Sequence, residues 1–330
     1  MRVYRDYLAP VQPCSAVALG AFDGVHRGHQ ALVAQAQQCA AAEGRTDQVA
    51  VVCFEPLPRQ YFGRSGPVAR LSMPAERARL LTRLGVRQCW QLRFNAALAN
   101  TEAEAFVQQV LVDSLQVQHV VVGGDFRFGA RRKGDVALLQ QLGKQHGFSV
   151  HVVNAVLHQG ERISSSRIRQ ALAAGELSLA GELLGRPFCI SGRVRHGKKL
   201  GRTLGYPTAN IALPRRIIPV EGVFAVRAQV LSPSQRSVKR GVLDESTDKQ
   251  GLKRLWIDGV ASLGCRPTVN SGEPLLEVHL FDFQQDLYGQ HLKVWLVHKL
   301  RDEAHFPTVD AMVAQIHDDA KQARLLLQQG

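Results

Sequence analysis

One change of pattern constrains the fold of this chain more than any other feature. Strand-like and helix-like segments alternate up to about residue 185, and then the alternation stops. Before that point, short runs rich in apolar, aromatic and β-branched residues lie at 17–21, 49–54, 89–94, 117–122 and 148–153. Between them come stretches with helical spacing of apolar residues at 30–42, 74–84, 103–115 and 136–146. Thr101 followed by Glu104 reads as a capping box at the start of the third stretch. Such alternation predicts a parallel sheet with helices on its faces. Beyond residue 185, runs at 188–194, 223–231, 255–263, 277–283 and 291–297 are punctuated by Gly, Pro and Asn, which predicts a small antiparallel barrel or sandwich. An amphipathic helix over about 309–328 closes the chain, and the polar stretch 232–254 predicts an exposed loop.

The boundary therefore falls near Gly185-Arg186, giving domains 1–185 and 186–330, each long enough to bury its own core. The net charge of +13 calls for an anionic partner. Its Lys and Arg are dispersed, not gathered into an arm, which favours phosphorylated small molecules over nucleic acid. The six cysteines form no CxxC pair and are expected to be reduced. No apolar run approaches the roughly 20 residues of a membrane span. The N-terminus also lacks a signal peptide's apolar core, so a cytoplasmic protein is expected.

The first chemical motif, GAFDGVHRGH, runs from Gly20 through Phe22 and Asp23 to His29, between the first strand and the first long helix. Glycine lets the backbone turn sharply there, and a helix start presents free N–H groups and partial positive charge to phosphate. His26 and His29 are three residues apart, so their rings face the same way and can bond one triphosphate. Capping, a core role and zinc ligation are the competing readings of such a pair. A second helix start, ISSSRIR at 163–169, offers Ser164, Ser165, Arg167 and Arg169 as another phosphate grip, with plain N-capping as the alternative.

Together, HRGH and ISSSRIR resemble the hallmarks of the nucleotidylyltransferase superfamily, whose fold is Rossmann-like. With the stretch GDFRFG at 124–129 they resemble the FMN adenylyltransferase module of bacterial FAD synthetases over about residues 15–185. The resemblance implies that the FMN phosphate attacks the α-phosphorus of ATP. It gives the ATP phosphates to His26, His29, Ser165 and Arg169, and the flavin to Asp125, Phe126, Arg127 and Phe128. Leu57 stands where relatives often carry a polar residue, which leaves that position without a direct role.

In the second half, GRVRHGKK at 192–199 nearly spells a P-loop, but Lys199 replaces the hydroxyl and no helix pattern follows. The stretch from Gly197 and Lys198 through Gly201, Arg202 and Gly205 reads instead as a basic flap over a polyphosphate. It leads into Pro207-Thr208-Ala209-Asn210, where Thr208 and Asn210 offer neutral oxygens to a hard cation, although a simple turn would look the same. PTAN, the stretch GVASLGCRPT at 259–268 and EVHLFDF at 277–283 resemble the riboflavin kinase family over about 186–325. That resemblance implies an antiparallel β-barrel with a C-terminal helix. It makes Glu277 the base for the riboflavin hydroxyl and has Thr208 and Asn210 hold Mg²⁺ with ATP. Phe224 stands where relatives often have Tyr. The whole chain thus resembles the prokaryotic bifunctional riboflavin kinase/FMN adenylyltransferase family, with riboflavin, FMN and ATP as substrates and FMN and FAD as products.

Overall fold

The computed structural model describes residues 1–7, 13–63, 68–197, 205–213, 217–231, 256–265 and 274–329. The polar stretch 232–254 and Arg266-Pro267-Thr268 lie outside the described residues. The chain forms two compact units, one of Met1–Val68 with Pro74–Ser164, the other of Ala69–Met73 with the described residues from Ser165 onward.

The first unit holds a parallel sheet of six strands: β1 (Arg2–Tyr4), β2 (Ala16–Leu19), β3 (Val49–Glu55), β4 (Gln88–Arg93), β5 (His119–Gly123) and β6 (Ser149–Val153). Its helices are α1 (Arg27–Ala42), α2 (Pro58–Phe62), α3 (Pro74–Arg83), α4 (Ala96–Asn100), α5 (Ala103–Phe106) and α6 (Val136–His146). A hairpin of β7 (Leu157–His158) and β8 (Glu161–Arg162) follows. Successive side chains of a strand point to opposite faces, and the sheet is buried on both. On β2, Val17 and Leu19 join the core formed with α5 and α6, while Ala16 and Ala18 join the core formed with α1 and α3.

The strand order is β1-β4-β3-β2-β5-β6. The chain moves outward from β2 through β3 and β4, then returns to β2's other side as β5. The order in which strands are added reverses between the parallel neighbours β2 and β5, and the crevice beyond the C-terminal ends of two such strands is where open α/β sheets bind ligands. Leu19 leads into GAFDGVHRGH, and Gly123 leads into GDFRFG. Topology alone brings GAFDGVHRGH and GDFRFG to that crevice.

The second unit begins with α7 (Ser165–Ala173) and α8 (Leu177–Leu184). Then come β9 (Cys189–Arg195), β10 (Ala209–Ala212), β11 (Gly222–Leu231), β12 (Ile257–Cys265), β13 (Pro274–Leu280), β14 (His291–Arg301) and α9 (Val309–Gln328). The six strands close into an antiparallel barrel in the order β10-β13-β12-β11-β14-β9. Its interior holds Ile211, Leu263, Leu276 and Val278, together with Phe224, which is fully buried. α9 lays Ala320, Ala323 and Leu327 over Val223, Ala225, Val260 and Phe281. Arg301 pins that helix through Asp319, with Nη2 2.7 Å from Oδ2.

Three local expectations are corrected. Thr101 does not open a capping box. It is the C-cap of α4, its hydroxyl bonds the Ala97 carbonyl, and Glu102 takes the N-cap position of α5. The helix expected over 103–115 is α-helical only to Phe106 and widens to a π-helical course over Val107–Ser114. The end of PTAN is not a turn, because Ala209 and Asn210 begin β10.

Candidate functional sites

The turn after β2 is held in a conformation that few residues adopt. Phe22, Gly24 and Val25 have φ of 50°, 81° and 44°. A left-handed backbone costs a non-glycine residue about 1–3 kcal/mol, so the surroundings must enforce it. They do so by burying Phe22, Asp23 and Val25. Gly20 makes room for this packing, since a Cβ there would stand 3.2 Å from the Phe22 ring.

His26 then caps α1: its Nδ1 accepts the His29 backbone N–H at 3.3 Å. A ring nitrogen that accepts carries no proton, so the N–H that His26 offers in this capping geometry is the one on Nε2. Gly28 permits the fold-back, because a Cβ there would stand 3.1 Å from Cε1 and Nδ1 of the His26 ring. The His29 ring stacks on His26 with centroids 3.7 Å apart, and Phe22 packs against it at 4.8 Å. Burial, reinforced by the positive fields of His26, Arg77 and Arg162, holds the His29 pKa well below its usual value. Among the described residues, nothing bonds its buried Nδ1. The capping alternative for this pair is thus realised in His26, and it pre-orients the ring. The result is a pair of imidazole N–H groups at the positive end of a helix, a receptor for polyphosphate oxygens.

Arg77 escaped the sequence reading. Its buried guanidinium reaches Glu55 Oε2 at 3.2 Å and the Ala21 carbonyl at 3.4 Å, tying the turn to the end of β3. An arginine on the apolar face of α3, next to buried Ala78 and one turn before buried Leu81, was the available signal. Leu57 is buried at the start of α2 and offers no polar group.

After β5, Asp125 receives both Nη atoms of Arg162 at 2.6 and 2.7 Å. That hydrogen bonding holds the Asp125 carboxyl below its usual range. Arg127 pairs with Asp135 at 3.1 Å. Phe126 stacks on Phe128 at 5.6 Å, while Phe128 itself is buried and faces Phe106. Phe126 is therefore the more accessible aromatic of this motif, and Phe128 supports it from the core. Gly129, at φ 70°, lies against Ala103, where a Cβ would come within 2.7 Å of the helix backbone.

Ser164 ends the first unit immediately before α7; in the second unit, Ser165 and Arg167 lie in the first turn of α7, and Arg169 donates Nε to the Ala69 carbonyl at 2.6 Å. On the barrel, Asn210 of β10 lies directly opposite Glu277 of β13, and Glu277 lies opposite Ser262 of β12. The flanking rows, Ala209–Val278–Ala261 and Ile211–Leu276–Leu263, fill the interior. Asn210, Glu277 and Ser262 therefore share the outer face. Asn210 is packed against Gly197, where a Cβ would lie 2.5 Å from Nδ2. Thr208 lines a cleft of about 80 Å³ with Pro207, Val194, Leu287 and Tyr288. His279 donates Nδ1–H to the Pro207 carbonyl at 2.9 Å, anchoring the entry to β10. Gly205 turns the chain at φ 82° just before it. Ser262 donates to Glu303 Oε1 at 2.6 Å, a carboxylate beside this row that the sequence did not single out. Lys198, Gly201 and Arg202 lie outside the described residues.

Comparison with known proteins finds a family match for each half of the chain. A family model described as FAD synthetase matches residues 9–167, and one described as riboflavin kinase matches 184–327. A bifunctional riboflavin kinase/FMN adenylyltransferase of Escherichia coli K12 is 43% identical over 96% of this chain and 93% of its own length. One from Haemophilus influenzae is 40% identical over 95% of this chain and 94% of its own. The crystal structure of a macrolide-efflux protein from Streptococcus pneumoniae is 31% identical, covers 98% of both chains and superposes with a TM-score of 0.79. Among the described residues of the present chain, no helix is long and apolar enough to cross a membrane.

Proposed function

This chain belongs to the family of bifunctional riboflavin kinase/FMN adenylyltransferases, and from that premise we propose that it makes FMN and then FAD. In the first step the riboflavin 5′-hydroxyl takes the γ-phosphoryl group of ATP, leaving FMN and ADP. In the second, an FMN phosphate oxygen attacks the α-phosphorus of another ATP, forming FAD as pyrophosphate leaves. We assign the kinase to residues 186–330, the adenylyltransferase to 1–185, and the enzyme to the cytoplasm.

The observation that carries the kinase reading is the cross-strand pairing of Asn210 with Glu277, which puts an amide residue and a carboxylate residue side by side on the outer face of the barrel. Glu277 accepts the hydroxyl proton as phosphoryl transfer proceeds. Mg²⁺ is part of this proposal. Thr208 and Asn210 fit such an ion, since both offer neutral oxygens and the Asn210 amide is fixed against Gly197. Bound there with ATP, the ion would neutralise polyphosphate charge.

In the adenylyltransferase, His26 and His29 donate N–H bonds to the ATP phosphates and to the charge that builds on the departing pyrophosphate. Ser164, Ser165, Arg167 and Arg169 supply further phosphate contacts, and Gly20, Phe22 and Asp23 shape the turn. Phe126, backed by Phe128 and flanked by Asp125 and Arg127, receives the flavin. No side chain forms a covalent intermediate, so positioning and electrostatics supply the catalysis. The test is incubation with riboflavin, ATP and Mg²⁺, with flavins resolved by chromatography. FMN should rise first and FAD follow with pyrophosphate, whereas unchanged riboflavin would overturn the kinase assignment and accumulation of FMN alone the adenylyltransferase.

A further inference from the structure

At the end of α1 remote from His26, three side chains from three elements converge outside both sites just described. Cys39 on α1, His119 at the start of β5 and His151 on β6 each present one donor atom, and the three atoms lie within 4.8 Å of one another. We propose that Cys39, His119 and His151 bind a single transition-metal ion of the zinc class, with Glu43 as the carboxylate behind His119.

The spacing is that of a coordination sphere. His119 Nδ1 and His151 Nε2 are 3.1 Å apart. Two imidazole nitrogens on one tetrahedral zinc, each at about 2.0–2.1 Å from the metal, stand only slightly farther apart than that. The other nitrogen of His119, Nε2, lies 2.8 Å from Glu43 Oε1, and the second oxygen of Glu43 accepts the Ser15 hydroxyl at 2.7 Å. A ligating histidine ordinarily gives its far N–H to a carboxylate, which fixes its tautomer and aims the free lone pair at the metal. Here that support is present, with a hydroxyl holding the carboxylate in turn. Cys39 is buried, and its sulfur accepts from Gln35 Nε2 at 3.6 Å. One sulfur with two imidazoles suits zinc or cobalt and is a poor set for magnesium or calcium. Binding displaces the Cys39 thiol proton, moves the His151 proton to Nδ1 and leaves a fourth position for water. The ion would pin the last turn of α1 to two strands of the sheet. It is a site apart from ATP chemistry.

The experiment uses the full chain stripped with chelator, titrated with Co²⁺ and read by visible absorption, then with Zn²⁺ against a chromophoric chelator. One ion per chain is expected, with the intense bands of tetrahedral cobalt, a thiolate-to-cobalt charge-transfer band and a Zn²⁺-dependent rise in melting temperature. Cys39→Ala should abolish the charge-transfer band and His151→Gln the stoichiometric uptake, while Cys53→Ala keeps both. Glu43→Gln should weaken affinity by about 10–100-fold, the usual effect of losing such a support. His151→Gln changes a partly exposed side chain, so it decides the matter if Cys39→Ala fails to fold. Absence of stoichiometric binding, or cobalt spectra unchanged by both Cys39→Ala and His151→Gln, overturns the proposal.

Discussion

The ring of His26 lies nearly parallel on the ring of His29, with centroids 3.7 Å apart and planes inclined by 21°. Two cationic imidazoles would repel at that distance, and burial together with the nearby positive charges keeps His29 neutral. The pair is thereby held as donors before any substrate arrives, and its capping bond ties one ring to the backbone of the other residue.

His26→Ala or His29→Ala should lower FAD formation from FMN by about 10²–10³-fold, the usual loss for one preorganised donor. Riboflavin phosphorylation should persist in both. Chromatography of the flavins checks this, and normal FAD output would remove the pair from catalysis.

Gly28→Ala should impair the same step without touching a donor. The added methyl would lie 3.1 Å from the His26 ring and displace it from the cap. Kinase activity serves as the internal control. Adenylyltransferase rates equal to wild type would mean that the position of the ring is unimportant.

Glu277→Gln keeps the shape of the side chain but cannot accept the hydroxyl proton. FMN formation should stop while FAD synthesis from supplied FMN continues. Gly197→Ala, whose methyl would collide with the Asn210 amide, should raise the KM for ATP in the kinase reaction alone. Near-normal kinase turnover in Glu277→Gln would exclude it as the base.

The depressed pKa of His29 gives stability a defined pH dependence. The unfolded residue binds a proton near its ordinary value of 6.5, and the folded residue resists it to a lower pH. Stability is therefore full above the unfolded value and declines as pH falls through it toward the folded one, by at most about 1.4 kcal/mol per pH unit. Melting curves of wild type and His29→Gln, taken above and below that range, should diverge in slope. Identical pH dependence in the two would contradict the assignment.

A fragment of residues 186–330 should phosphorylate riboflavin without making FAD. Since α8 packs along β14 and Lys299 covers Gly175, a fragment beginning at Ser165 should melt higher than one beginning at 186. Kinase turnover and melting temperature of the two fragments test this. A folded yet inactive 186–330 fragment would mean that the kinase site borrows residues from the first half.

Legibility in the sequence tracked length and locality. α6 matches its expected bounds of 136–146 because Asp135 caps one end and left-handed Gly147 stops the other. β1 and β10, of three and four residues, are too short for an alternating pattern to declare itself. β10 also hid behind Pro207, which marks a turn as readily as the entry to a strand. Thr101 carried the spacing of a cap, but the short helix before it claimed the residue first. The His26–His29 pair was readable because a helix repeats within four residues. The Arg162 partner of Asp125 and the Glu303 partner of Ser262 were not, since tertiary folding sets those pairings across 37 and 41 residues.

Helix α1 has work at both of its ends, and that has a consequence for how the gene can change. Its 16 residues span about 24 Å, with the capping histidine at one end and the Glu43–His119 contact at the other. Each residue advances a helix by about 100°, so a single insertion or deletion between them would turn one end out of phase with the other. Replacements on the outer face should be absorbed easily, but the length of the segment should not vary. Among homologues, gaps in an alignment ought to avoid this helix even where its letters drift.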